Sequence, residues 1–119
     1  MKTHKDLDVW KNGIELVVSV YRITKNFPKD EMYGIVNQIR RAAVSIPSNI
    51  AEGAGRNHDR EFIQFLYVAL GSLAELDTQI LISQRLGYVN EQEEDSLNDL
   101  IKLIRAQLSG LIKYLKEKK

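Results

Sequence analysis

Residues able to do acid–base, nucleophilic or metal chemistry are few in this chain. It has no cysteine and two histidines, His4 and His58, in 119 residues. Missing thiols exclude disulfides, zinc fingers, iron–sulfur clusters and thiol nucleophiles, and two histidines cannot build a His-rich metal cage. Neither histidine has a glutamate three residues before it, as the Glu-x-x-His motifs of di-iron bundles require. Helical toxin-type ribonucleases place an arginine four to six residues before a histidine; His58 has Glu52, Gly53 and Ala54 there. No glycine-rich phosphate loop or nucleophile elbow is present. Glu52 and Glu75 can face each other across two helices, but nothing in the pattern supplies a cleft. The expectation is a non-enzyme with no catalytic residue, cofactor or metal.

Binding chemistry is better represented. Arg40, Arg41, Arg56 and Arg60 carry planar guanidinium groups that suit phosphate oxygens, and Lys113, Lys116, Lys118 and Lys119 form a basic tail. Gln38, Arg41, Ser45, Ser48, Asn49, Glu52 and Arg56 follow helical spacing as a polar stripe. Such a stripe fits a solvated face, a polar network at a subunit seam (Arg41, Asn49, Glu52, Glu75) or a binding groove. Glu52 and Arg56 stand four apart, the spacing of an ion pair on a helix surface; Arg41 and Arg56 pairing with Glu52 or Glu75 competes with the nucleic-acid reading. The 17 basic and 16 acidic residues leave a formal charge of +1, which argues against a strongly cationic nucleic-acid binder but permits local patches.

Helices must position these groups, since no segment alternates as a strand does. Periodicity and breakers predict four helices, about 8–26, 30–54, 59–86 and 91–117, in one domain spanning 1–119. Leu97, Ile101, Ile104, Leu108, Leu111 and Leu115 make one stripe on the last helix, opened by Asn90 and Glu93 at capping-box spacing. Leu7, Trp10, Ile14, Val17 and Tyr21 form the expected core stripe of the first helix, which Phe27-Pro28 stops. Ile35, Ile39, Ala42, Ile46 and Ile50 point inward on the second, with Pro47 as an expected kink and Gly53 and Gly55 at its end. Gly87 suits the left-handed cap of the third. Short connections predict an antiparallel, up-down-up-down four-helix bundle. From Met1 to Asp8 there is no apolar targeting core, and the longest apolar run, Phe65 to Leu70, falls far short of the ~20 residues of a membrane span. A soluble cytoplasmic protein is expected.

The third helix is too apolar for one buried stripe: around Phe62 to Leu70 apolar residues occupy every side. Either it is the best-buried helix, or another copy covers it, as large apolar patches require; Phe62, Phe65, Leu66, Val68, Gly71 and Ser72 are the candidate interface. Val9, Leu16, Val20 and Ile23 form a second apolar set on the first helix. Gly13, Gly34, Gly71 and Gly110 fall inside helical patterns, and Gly71 beside Ala69 and Ser72 would admit a close backbone.

The run QIRRAAVSIPSNIAEGAGR (Gln38 to Arg56), followed by EFIQFLYVALGSLAEL (Glu61 to Leu76), resembles the proteins encoded in intervening sequences of bacterial 23S rRNA genes. That family includes the accessory variability determinant of diversity-generating retroelements. The likeness runs from Leu7-Asp8-Val9-Trp10 through Phe27-Pro28 and Glu31 to Leu86-Gly87-Tyr88. It implies a homopentameric, barrel-like ring of four-helix bundles with no established enzymatic activity. Retroelement members are thought to bind nucleic acid and a reverse transcriptase through a basic surface, which implies RNA, DNA or a nucleic-acid-processing protein as partners beside the chain itself. Two departures stand out: the charge of +1 differs from the strongly basic retroelement proteins, and His58 stands where the family often has a Ser or Thr cap, leaving Asn57 to supply it.

Overall fold

The computed structural model describes residues 2–118 and contains, among them, no strand and four α-helices: α1 (Asp8–Thr24), α2 (Ile35–Ala54), α3 (Asp59–Arg85) and α4 (Glu91–Glu117). Short 3-10 turns, His4–Asp6 and Lys29–Glu31, precede the first two. The Asn90 side chain accepts from the Glu93 amide at 2.7 Å and the Glu93 carboxylate accepts from the Asn90 amide at 3.1 Å, closing the expected capping box of α4. Gly87 ends α3 at φ +81°, a left-handed conformation that only glycine adopts without strain. Its amide bonds the Gln84 carbonyl and the Tyr88 amide bonds the Ser83 carbonyl, the paired bonds of a Schellman cap.

The start of α2 and the cap of α3 differ from expectation, while α2 ends at Ala54 as expected. α2 begins at Ile35, because Lys29–Glu31 winds as a 3-10 turn and Gly34, at φ −106° and ψ −116°, is the residue before the helix rather than inside it. A Cβ on Gly34 would sit 2.9 Å from the Glu31 carboxylate. Gly53 lies within α2 and Gly55 caps it, while the helix passes Pro47 unbroken. His58 precedes α3 with no side-chain cap, and Asn57 does not supply one; the Glu61 and Phe62 amides bond the His58 carbonyl instead.

Neighbours in sequence are neighbours in space: α2 packs on α3 most extensively, α3 on α4, α1 on α2, and α1 closes against α4. Among the described residues the backbones of the diagonal pairs, α1 with α3 and α2 with α4, do not run as neighbours. Early residues of one helix meet late residues of the next. Gly13 faces Pro47 and Thr24 bonds Arg40; Ser45 bonds Ser72 and Gly53 faces Phe65; Asp77 pairs with Arg105 and Asp59 with Lys118. The molecule measures 49 × 24 × 20 Å.

The core corrects the first-helix stripe. α1 buries Val9, Gly13, Leu16, Val20 and Thr24, whereas Ile14 and Tyr21 are exposed. Gly13 explains the rotation: a Cβ there would stand 3.3 Å from the Pro47 side chain, so only the glycine arc brings α1 this close to the proline ring. α4 follows its expected stripe through Leu97, Ile101, Ile104, Leu108 and Leu115, with Ile112 fully inside and Leu111 at the edge. α3 has two apolar faces, and an 18-residue stretch of it with mean hydropathy 1.4 is apolar and long enough to cross a membrane by composition alone. One face, Phe62, Leu66, Ala69, Leu73, Leu76 and Ile80, is core. Phe62 and Leu66 are therefore not interface residues: their own chain already covers them.

Candidate functional site

The α2–α3 seam holds the polar stripe. Ser45 and Ser72 share a hydrogen bond of 2.8 Å, and the Asn49 amide donates to the Ser45 hydroxyl at 2.9 Å and carbonyl at 2.7 Å. Beside them a groove of about 390 Å³ is lined by Asn37, Gln38, Arg41, Ala42, Ser45, Ser72 and Glu75. Arg41 and Glu75 share it without forming an ion pair, and Glu52 pairs with Arg56 at 3.0 Å instead. Within one chain Asn49 joins Ser45 and Ser72, Glu52 joins Arg56, and Arg41 and Glu75 line the groove unpaired.

The four arginines do not converge. Arg40 donates to the Thr24 hydroxyl at 2.9 Å and lies 4.5 Å over the Tyr21 ring, tying α2 to α1. Arg56 is held by Glu52 and lies 4.9 Å over Phe65. Arg41 and Arg60 are exposed and, among the described residues, have no carboxylate within 4.0 Å. Fifteen residues of chain at 1.5 Å per residue put Arg41 and Arg56 roughly 22 Å apart.

Cations gather instead where α3 begins and α4 ends. Arg56 and Lys118, with the His58 ring and the Asp59 carboxylate between them, rim a pocket of about 360 Å³ over Leu7, Ala54, Phe62, Leu111 and Leu115. Lys118 also pairs with Asp59 at 3.4 Å, and the Lys116 ammonium donates to the Tyr67 hydroxyl at 2.7 Å. Lys119 lies outside the described residues. The sequence does not announce this pocket because its walls come from three separated stretches: Leu7, the α2–α3 connection and the end of α4. His4 packs edge-on against Trp10, ring centroids 5.1 Å apart. Among the described residues no three His, Asp or Glu are grouped to hold a metal ion.

Apolar side chains remain open on α1 and α3. On α1, Ile14, Val18 and Tyr21 are exposed, with Val44 of α2 beside them; on α3, Tyr67 and Val68 are exposed one turn before an open Gly71, and Leu81 and Ile82 about 15 Å beyond it. Of the expected interface, Val68 is half exposed at 51% and Gly71 has free space above it, while Phe65 is partly covered by Arg56 and Ser72 by Ser45.

The family model described as "23S rRNA-intervening sequence protein" matches residues 5–110. The chain belongs to that family. A crystal structure of a protein of unknown function from the S23 ribosomal protein family of Bacteroides thetaiotaomicron is similar, with a TM-score of 0.82 at 24% identity, covering 88% of this chain and 95% of that one; it shares the fold. No curated protein matches. The family description names no enzymatic activity, and the neighbour is described as of unknown function. In this intervening-sequence protein, the run from Arg40 to Gly53 is the packing seam itself. Pro47 receives Gly13, Ser45 bonds Ser72, and Gly53 lies so close to α3 that a Cβ would approach Phe65 to 2.7 Å.

Proposed function

We propose that this intervening-sequence protein works without catalysis, as a homo-oligomeric scaffold: an antiparallel four-helix bundle assembled into a pentameric ring. The single observation carrying the scaffold reading is the exposed apolar surface on α1 and α3, helices already anchored in the core by their other faces. Open apolar patches of this kind on a folded chain favour coverage by a second copy. The antiparallel course is supported by the pairing of early with late residues across each seam, such as Ser45 with Ser72; the number five comes from the resemblance. Light scattering at micromolar concentration tests the reading. A mass near five times 13.6 kDa is expected, and a monomer overturns it.

A second reading, contact with RNA or a nucleoprotein, is favoured by Arg56, Arg60, Lys113, Lys116 and Lys118 at one end of the bundle. Five copies would multiply weak contacts through avidity. The ties of Arg40 and Arg56 to Thr24, Tyr21 and Glu52 weigh toward a protein partner instead. Electrophoretic mobility shift at low and physiological salt separates the two. Phosphate contacts strengthen as salt falls, so no shift at low salt leaves only the protein partner.

A further inference from the structure

We propose that the groove between α2 and α3 binds a free α-amino acid with a polar side chain, its carboxylate on Arg41 and its ammonium on Glu75. The site lies within one chain and does not depend on how copies assemble. Its walls come from two stretches: Asn37, Gln38, Arg41 and Ser45 on α2, and Ser72 and Glu75 on α3.

Four groups in and beside this groove lack a partner in the chain. Arg41 and Glu75 both line it, yet among the described residues neither has an opposite charge within 4.0 Å. Ser45 and Ser72 have a hydroxyl proton each and share a single hydrogen bond. Ser45 also accepts from Asn49, and among the described residues no carbonyl or carboxylate takes the other proton, so one O–H is left to donate. Gln79 follows Glu75 by one turn on the same stripe of α3; it is 7% exposed, and its Oε1 accepts from nothing. A buried acceptor without a donor carries the full desolvation cost of the group, which a donating ligand would relieve.

Charge selects the class of ligand. An anion alone brings its charge against Glu75 and a cation alone against Arg41, so the groove disfavours phosphate and polyamine alike. A zwitterion meets both groups. In an α-amino acid the ammonium and carboxylate lie about 3 Å apart, and a hydrogen bond of ~2.8 Å at either end gives a span of about 8 Å. Facing helices hold their axes about 8–10 Å apart, so Arg41 from α2 and Glu75 from α3 can present their charged ends across that span. The groove volume of about 390 Å³ holds such a molecule together with its side chain. An apolar side chain would strip water from the amides and hydroxyls of Asn37, Gln38, Ser45 and Ser72 without replacing its hydrogen bonds, whereas a polar one replaces them.

Isothermal titration calorimetry of the full chain with L-glutamine tests the site; the side-chain amide of this probe carries a donor for the Gln79 oxygen. Binding in about the millimolar range is expected, because the groove is open to water and exposed ion pairs are weak. N-acetyl-L-glutamine lacks the ammonium and L-glutamine amide lacks the carboxylate, and each should bind about tenfold more weakly or not at all for want of one charge-assisted hydrogen bond. Arg41→Gln and Glu75→Gln should each weaken L-glutamine by a similar factor, with helicity by circular dichroism unchanged because both side chains are exposed. Lys102→Gln, which removes an exposed cation from α4, should bind as the wild type does. No heat of binding up to tens of millimolar L-glutamine, equal affinity for the three ligands, or affinity that survives both groove substitutions overturns the site. The three ligands compared on the unaltered chain decide the point even where a variant fails to fold.

Discussion

Replacing Gly53 by alanine tests the packing of the α2–α3 seam with a single added carbon. An ideal Cβ at this position lies 2.7 Å from the Phe65 Cβ, 2.9 Å from a Phe62 ring carbon and 3.2 Å from the Phe62 carbonyl oxygen. Ordinary contact needs 3.4 Å or more, so α3 must move by about 0.7 Å along that line. The Phe62 ring can turn, but the Phe65 Cβ and the Phe62 carbonyl are fixed to the α3 backbone and move only with the helix. Overpacking of this kind costs about 1–3 kcal/mol, against a helix-propensity gain of up to about 1 kcal/mol for losing a glycine. The expected net is a loss of roughly 1–2 kcal/mol, several degrees in Tm for a chain of this size. Gly110→Ala is the matched control: it is exposed on α4 with nothing within 4 Å of an added Cβ, so the propensity gain stands alone and stability rises by up to about 1 kcal/mol. Urea unfolding followed by circular dichroism, at one fixed protein concentration because assembly adds its own stabilisation, reads both. If Gly53→Ala matches or exceeds Gly110→Ala in midpoint, the close approach of α2 to α3 is refuted.

A double-mutant cycle of Ser45→Ala and Ser72→Ala should return a coupling of about 0.5–1.5 kcal/mol for their 2.8 Å bond; additive single effects would remove the bond from the seam. Asn90→Ala should cost about 1 kcal/mol in urea unfolding by deleting the α4 capping box, and an unchanged midpoint would contradict that cap. Alkaline stability should depend on Tyr88, whose hydroxyl donates to Glu31 at 2.8 Å and whose pKa is thereby raised above the ordinary 10.0. A raised folded pKa means the contribution is present below about pH 10 and is lost as pH climbs through the raised value. Tyr88→Phe should accordingly flatten that alkaline decline, and parallel wild-type and variant pH profiles would count against the bond. Asp6 works in the opposite direction: amides of Thr3 and Lys2 hold its pKa below the usual 3.8, so Asp6→Asn should remove stability present above that pH and lost as pH falls further, readable as exchange of the Thr3 amide.

Strong local signals in the sequence located the helix ends. Asn90 with Glu93 and Gly87 at the α3 terminus did so because caps are made by residues a few positions apart. The isoleucine stripe of α2 was equally legible, since a polar stripe opposed it. α1 was not: both of its candidate stripes are apolar, and periodicity alone cannot tell which one meets the core. The deciding contact, Gly13 on Pro47, joins residues 34 positions apart in sequence and needs the fold to become visible. For the same reason the sequence does not separate Phe62 and Leu66, which lie in the core, from the exposed residues of α3, nor does it show that the Ser72 hydroxyl bonds Ser45. The arginines were grouped by type; Thr24 and Tyr21, which hold Arg40, carry no charge that would announce them.

The dominance of the α2–α3 seam orders the way the molecule opens. Two helices joined by a short connection, locked to each other through Ser45 with Ser72 and Gly53 with Phe65, form the middle of the chain, and α1 and α4 are laid onto its two flanks. Cooperative units of unequal stability open in sequence, so the terminal helices act as outer leaves that detach while the central hairpin persists. Amide exchange under native conditions should therefore be slowest at Ile46, Ile50, Leu73 and Leu76, all fully buried in that hairpin, and the chain's two ends, not its centre, set the timescale on which its interior meets solvent.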